Sequence, residues 1–458
     1  MHLVENIVPA LVKHWTGTFK DLDQGSEGYQ FPPSVADAIG AACAKSGSTI
    51  PSAFGARVPD IMKDRYQCTA ESWFLFTTLL GPVVLHNRFS KQCYYDHFVQ
   101  FAVLIIKCLR FEISAAEIDE IETGFADWVQ TYERFYYQYE EPRLSACTLP
   151  IHALLHIASD IRNMGPMWCF WAFVMERFCG SLVPAVKSRK HPFASLAHRL
   201  RDVAQLNQIK LLYGLTDELN LSADKEVGDT GHAFADYDQL RLVYPNRLID
   251  VDEPLRRKIA AYLTTNYVIS RSAALTHVPK TLSLWGKLKQ LGGGDLIHAW
   301  DLVSGYHTSP ESFRDATFIK YTLEVDKNQN RRNMPVDLEQ QVFFGQARKF
   351  IALAVPADFP ARRDADETEQ VESARPRTII LAAVSQVKLT RRNKVGMPYF
   401  DSKSSDLGPV TEVIDVSTID CLAGRIQAGK RWACLVRPEV TAKFRLVENS
   451  TVGDAIDT

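Results

Sequence analysis

Up to about residue 215, apolar positions recur at three- and four-residue spacing; after about 335 they come in short runs with partial alternation. The first pattern predicts amphipathic helices and the second predicts strands. In "SAAEIDEIETGFADWVQTYERFYYQYEEP", Ile118, Ile121, Phe125, Trp128, Val129, Tyr132 and Tyr136 share one helical face. Ser114 with Glu117 makes a capping box at its start, and Pro142 lies just past its end. "CTAESWFLFTTLLGPVVL" predicts a helix with Thr69 as N-cap and Glu71 in the first turn. "YYDHFVQFAVLIIKCLRF" reads as a mostly buried helix. Pro150 suits the first turn of the next helix, Gly165-Pro166 breaks it, and "MWCFWAFVMERF" begins another. "SLAHRLRDVAQLNQIKLLYGL" reads as an amphipathic helix capped by Ser195.

Residues 216–335 read as a mixed, mostly helical connector, with "EPLRRKIAAYLTTNY" as a helix and "LGGGDL" as a flexible joint. "FIKYTLEV", "QVFFGQARKFIALAV", "TIILAAVSQVKL", "VTEVIDVSTIDCLAGRI" and "RWACLVR" are rich in β-branched and aromatic residues and predict strands. The charged stretch at 361–378 reads as a mobile loop among them. The expected fold is therefore multidomain α+β. Helices occupy roughly the N-terminal two thirds, and a small β-barrel-like domain follows. The expected divisions are 1–148, 149–215, 216–335, 336–448 and a tail at 449–458.

Hydrophobic residues make up 46% and charged residues 23%, the balance of a soluble globular chain with ample core. A net charge of −2 advertises no nucleic-acid binding, so any basic surface must be local. Nine scattered cysteines form no CxxC pair, which predicts free thiols in a reducing compartment. "MHLVENIVPALVKHW" does not read as a signal peptide. "FAVLIIKCLRF" is too short to span a bilayer, so no membrane role is expected.

The candidate chemistry lies between Leu149 and His191. His152 and His156 stand at i and i+4, so on a helix both imidazoles project from one face and supply half of a tetrahedral zinc site. The plain alternative is two histidines packed in a core and bonded to backbone. Glu176 sits in apolar "FVMERF"; it is either a divalent-metal ligand or one half of an ordinary ion pair. Lys187, Arg189, Lys190 and His191 form a basic run that either meets phosphates or is simply solvated.

These residues carry a resemblance. "LPIHALLHIASDIRNMGPMWCFWAFVMERFCGSL" resembles the end of the catalytic domain of CACTA (En/Spm-type) DNA transposases, through His152, His156, Gly165, Pro166, Trp171, Phe173, Glu176, Arg177 and Phe178. "MHLVENIVPALV" is similar to another segment of that family, and the β-rich end to a module that follows it in some members. The resemblance implies an RNase H-like fold with a DDE triad holding two Mg²⁺ ions, and zinc held by a CxxC and a His pair. It makes Glu176 the third carboxylate, His152 and His156 zinc ligands, and residues 1–148 most of a helical insertion. It makes Arg177, Lys187, Arg189 and Lys190 DNA contacts, and the location nuclear.

Both aspartates and the CxxC belong upstream of "MHLVEN" in that family. The expectation is therefore a catalytically incomplete remnant that holds neither Mg²⁺ nor Zn²⁺ stably. An alternative is a host-reused DNA- or chromatin-binding module, its strands resembling a bromo-adjacent homology barrel. A third is a helical protein that associates through the apolar face of "MWCFWAFVMERF", left uncovered without its sheet.

Overall fold

Helices come first along the chain and strands second, with the change at about residue 240. The computed structural model describes residues 2–22, 25, 27–188, 190–216, 219, 231–303, 313–328, 334–363, 376–402 and 406–438. The architecture is mixed α+β, and its sheets are antiparallel. Among the described residues, no helix is long and apolar enough to cross a membrane.

Helix α1 (His2–Trp15) buries Val4, Ile7, Val8, Leu11, Val12 and Trp15, the steps of an amphipathic helix. Helix α2 (Pro33–Ser46) opens on proline. Helix α3 (Ala70–Leu75) is capped by Thr69, whose hydroxyl accepts from the Ser72 amide. It continues through a π segment, Phe76–Leu80, into α4 (Gly81–Val84). Gly81 is required there, because a Cβ would stand 2.5 Å from the Phe98 ring. Helices α5 (Gln92–Cys108) and α6 (Ala115–Tyr132) pack side by side. The Ser114–Glu117 capping box forms. The predicted face of α6 is buried from Ile121 to Tyr132, with Ile118 at the core's edge.

Aromatic rings with polar atoms fill this helical body, and those atoms find partners inside it. Trp15 Nε1 donates to the Tyr136 hydroxyl at 3.0 Å. The buried Arg143 donates to the Tyr136 carbonyl at 2.8 Å and to the Tyr29 hydroxyl at 2.7 Å. His97 stacks on Trp128 at 4.4 Å, and its Nε2 lies 3.1 Å from the Trp128 carbonyl. Burial pushes the His97 pKa down to about 3, so the ring is neutral at pH 7.

The second half is built on a large sheet of eight strands. These are β1 (Leu240–Asp250), β2 (Thr281–Gln290), β3 (Leu296–His298), β4 (Phe318–Asp326), β5 (Leu338–Val355), β6 (Arg377–Gln386), β9 (Glu412–Asp415) and β10 (Ile419–Leu422). Its main path runs β1-β2-β5-β4-β10; β3 pairs with β2, and β6 bridges β5 and β9. The 18-residue β5 serves three neighbours, which curls the sheet into a half-barrel. Helices α11 (Glu253–Asn266) and α12 (Arg271–His277) cross between β1 and β2, and α13 (Trp300–Val303) follows β3. Asp415, 6% exposed, is held by the hydroxyls of Tyr237 and Tyr262 at 2.8 and 3.2 Å. A small sheet, β11-β12-β8-β7, comprises β7 (Leu389–Arg392), β8 (Pro398–Asp401), β11 (Gly424–Ala428) and β12 (Arg431–Leu435).

The small sheet joins the two halves. Its Met397, Tyr399, Ile426, Ala433 and Leu435 belong to the core of the helical body. Arg314 donates to the carbonyls of Ile50, Pro51 and Gly55, and Arg57 to that of Phe313 at 2.7 Å. The Asp315 amide donates to the Ser48 carbonyl at 2.9 Å. Asp315 and Arg425, 2% and 0% exposed, form a buried ion pair, and the guanidinium lies over the rings of Phe318 and Trp432.

Two expectations need correction. Residues 216–335 are not a mostly helical connector: β1 to β4 lie there, so the β-rich part begins near 240 rather than at 336. The signal in β1 is blurred because it is an edge strand with only two fully buried residues, with Pro245 in its middle and a register shift beside it. "LGGGDL" is the turn between β2 and β3, with Gly292 at φ 65° and Gly293 at φ 78°, not a joint between domains. The second correction concerns "SLAHRLRDVAQLNQIKLLYGL". Its helix starts three residues earlier, at Pro192, and the Ser195 hydroxyl donates back to the His191 carbonyl. The loop expected at 361–378 falls mostly outside the described residues, as does the tail from 439.

Candidate functional site

The expected site spans α7 (Leu149–Ala153), α8 (Ile157–Met164), α9 (Phe173–Leu182) and α10 (Pro192–Tyr213). The first stretch is not one helix. α7 tightens into a 3₁₀ turn, Leu154–His156, before α8 resumes, and Gly165 ends α8 at φ 87°. His152 lies in the last turn of α7 and His156 ends the 3₁₀ turn. Ile151, Leu154, Ile157 and Ile161 anchor this stretch by pointing into the core. Both histidines are left exposed on the other side.

The two rings meet. His156 Nε2 lies 3.1 Å from His152 Nε2, with ring centroids 4.9 Å apart. The reading of two core histidines bonded to backbone therefore fails, since both rings are exposed and the contact the pair makes is with each other. Two imidazole nitrogens sharing a tetrahedral zinc stand about 3.3 Å apart, from Zn–N bonds of about 2.0–2.1 Å. The pair is thus close to the bite of half a zinc site. Among the described residues, no group of three His, Cys, Asp or Glu side chains converges anywhere. Cys147, five residues before His152, is exposed. Burial, and then the charge of Glu133, push its thiol up and away from the thiolate a metal needs.

Glu176 lies in the first turn of α9 and is half-buried. It sits on a different helix from the His pair, and no cluster of metal-ligating side chains includes it. Its neighbours Met175 and Phe178 are 62% and 52% exposed. Arg177 lies on the same helix, but its side chain is outside the described residues, and so is the whole of Arg189. Lys187 and Lys190 are exposed. Nothing in the described geometry gathers the basic run around Glu176.

The apolar surface nearby is more informative. None of the 22 residues of α10 is buried. Leu211, Leu212 and Tyr213 are 70%, 69% and 71% exposed, and Phe193 is 83% exposed. Trp168, between α8 and α9, is 43% exposed and held by one bond, from Nε1 to the Phe111 carbonyl at 3.0 Å. In contrast, α8 is pinned to α6 by Arg162, which bridges Asp119 and Glu122. Beyond α8, Met167, Phe170 and Trp171 still pack against the helical core, but α10 adds no buried residue to it.

Sequence reasoning missed the buried polar groups that organise the rest, Asp415 with its two tyrosines and Asp315 with Arg425. No local pattern marks them, because their partners lie over 100 residues away. Comparison with protein-family models, curated proteins and solved structures gives no match.

Proposed function

We propose that this chain is the C-terminal part of a CACTA-like DDE transposase, with residues 149–215 as the closing helices of an RNase H-like core, and that alone it does not cut DNA. The exposed apolar side chains of α10, Phe193, Leu211 and Leu212 among them, carry this reading. A 22-residue helix with no fully buried residue draws little from tertiary packing, which is what normally stabilises helices in proteins. A layer of strands laid against Phe178, Leu211 and Leu212 supplies that packing. The same layer would bring the two missing aspartates to Glu176 and a Cys pair to His152 and His156. One carboxylate cannot hold two hard cations against water, so two-metal chemistry stays out of reach of these residues alone.

The direct test incubates the purified chain with supercoiled plasmid and Mg²⁺ or Mn²⁺. The expected result is no nicking, with Glu176→Gln indistinguishable from the parent. Metal-dependent nicking that Glu176→Gln abolishes would overturn the proposal. The uncovered face is tested separately by chromatography and a hydrophobic dye. Self-association and dye emission are expected, both reduced in Leu211→Glu/Leu212→Glu. A dye-silent monomer counts against the missing layer.

A further inference from the structure

A cavity of about 510 Å³ opens where the helical body meets the small sheet. Four separate pieces of chain wall it: Ala42 of α2, the end of α4 with the turn after it, the edge strand β7 with Tyr399 of β8, and the β11–β12 hairpin. The last three contribute cations. Arg88 comes from the turn, Arg391 from the edge strand, and Lys430 and Arg431 from the hairpin. Among the described residues, no Asp or Glu lines the cavity. Arg431 is paired with Asp401 at 3.2 Å, and Arg391 lies over the Tyr399 ring at 5.3 Å. Among the described residues, Arg88, Arg391 and Lys430 have no carboxylate partner. His86, also in the wall, has its pKa lowered by burial and then by the charges of Arg391 and Lys394, while Lys394 itself is paired with Asp96.

We propose that this cavity binds a compact polyphosphate anion of two or three linked phosphates, bridging the helical body and the small sheet. Like charges brought together from three elements repel unless something neutralises them, and here Asp401 pairs with Arg431 alone, leaving Arg88, Arg391 and Lys430 without a carboxylate among the described residues. Guanidinium forks and an ammonium match phosphate oxygens. The volume falls in the range of small-ligand sites, about 300–1,000 Å³. A duplex presents its charges along an extended rod, about one per 1.7 Å of axis, and is met by a stripe rather than a pit. The inference is independent of the transposase reading.

Tripolyphosphate is the probe, titrated by calorimetry and by thermal shift into the parent and into Arg88→Glu/Lys430→Glu. Both side chains are exposed and the change relieves like-charge repulsion, so the unliganded melting temperature of the variant should be no lower than the parent's. Tripolyphosphate should raise the parent's melting temperature, and its affinity should fall at least tenfold in the variant. Two competitors identify the source of the phosphates. Displacement by a nucleoside triphosphate assigns a free small molecule. Displacement by a 5′-phosphorylated oligonucleotide, but not by the unphosphorylated one, assigns a nucleic-acid end. No binding at millimolar tripolyphosphate, or equal affinity in parent and variant, overturns the proposal. So does tighter binding of unphosphorylated duplex that the variant loses, which would make the surface a backbone groove.

Discussion

Changing Asp315 to Ala tests how the two halves are fastened. Asp315 and Arg425 are 2% and 0% exposed. The carboxylate also accepts from the Thr317 amide at 2.9 Å and hydroxyl at 2.6 Å. Removing it leaves the guanidinium buried without its counter-charge, against Phe318 and Trp432. Breaking a buried pair from one side costs about 3–5 kcal/mol, because an uncompensated charge remains. At about 2.1 cal/mol/K of unfolding entropy per residue over 458 residues, each kcal/mol moves the melting temperature about 1 °C, so it should fall by roughly 3–5 °C. Asp315→Asn keeps the acceptor for Thr317 and loses only the charge, so it should fall between parent and alanine. The double change Asp315→Leu/Arg425→Met removes both charges and should recover most of the loss. Differential scanning calorimetry reads the temperatures, and limited proteolysis reads whether the halves part. An alanine variant within about 1 kcal/mol of the parent would refute this reasoning. So would a double variant less stable than the single one.

The folded chain keeps His97 neutral down to about pH 3, while an unfolded chain protonates it near its ordinary value of 6.5. Its contribution is therefore present above about pH 6.5 and is lost as pH falls, at up to about 1.4 kcal/mol per unit. Denaturant midpoints between pH 7 and 4 should slope less in His97→Gln than in the parent; equal slopes would remove His97 from the account. Gly81→Ala puts a methyl 2.5 Å from the Phe98 ring and 2.9 Å from the Phe76 carbonyl, and should cost about 1–3 kcal/mol by denaturant titration. Purified chain should carry well under one equivalent of zinc by elemental analysis, with no difference in His152→Ala/His156→Ala, since a pair alone is half a ligand set.

What could be read in advance depended on how local its cause was. The box at Ser114 and Glu117, the Thr69 cap and the buried stripe of α6 are each set within a few residues, and they stand as read. Strands β4, β5, β6 and β12 announce themselves through β-branched and aromatic runs buried against α11 or the helical body. Strand β1 was hidden because it buries only Leu240 and Leu242 fully and Pro245 interrupts its pattern. The meeting of His152 and His156 was legible from their spacing, which survives the tightening at Leu154. The junction cavity was not, because its cations lie as far apart in sequence as Arg88 and Lys430. Only the docking of the small sheet brings them together.

That docking sets an order of events during synthesis. The helical body is encoded early, yet part of its inner wall is Ile426, Ala433 and Leu435. A ribosome that has released the first two hundred residues has not yet made the pieces that seal them. Until about residue 435 has left the exit tunnel, the nascent helices must wait with one side open, and they need shelter for the time it takes to translate the large sheet.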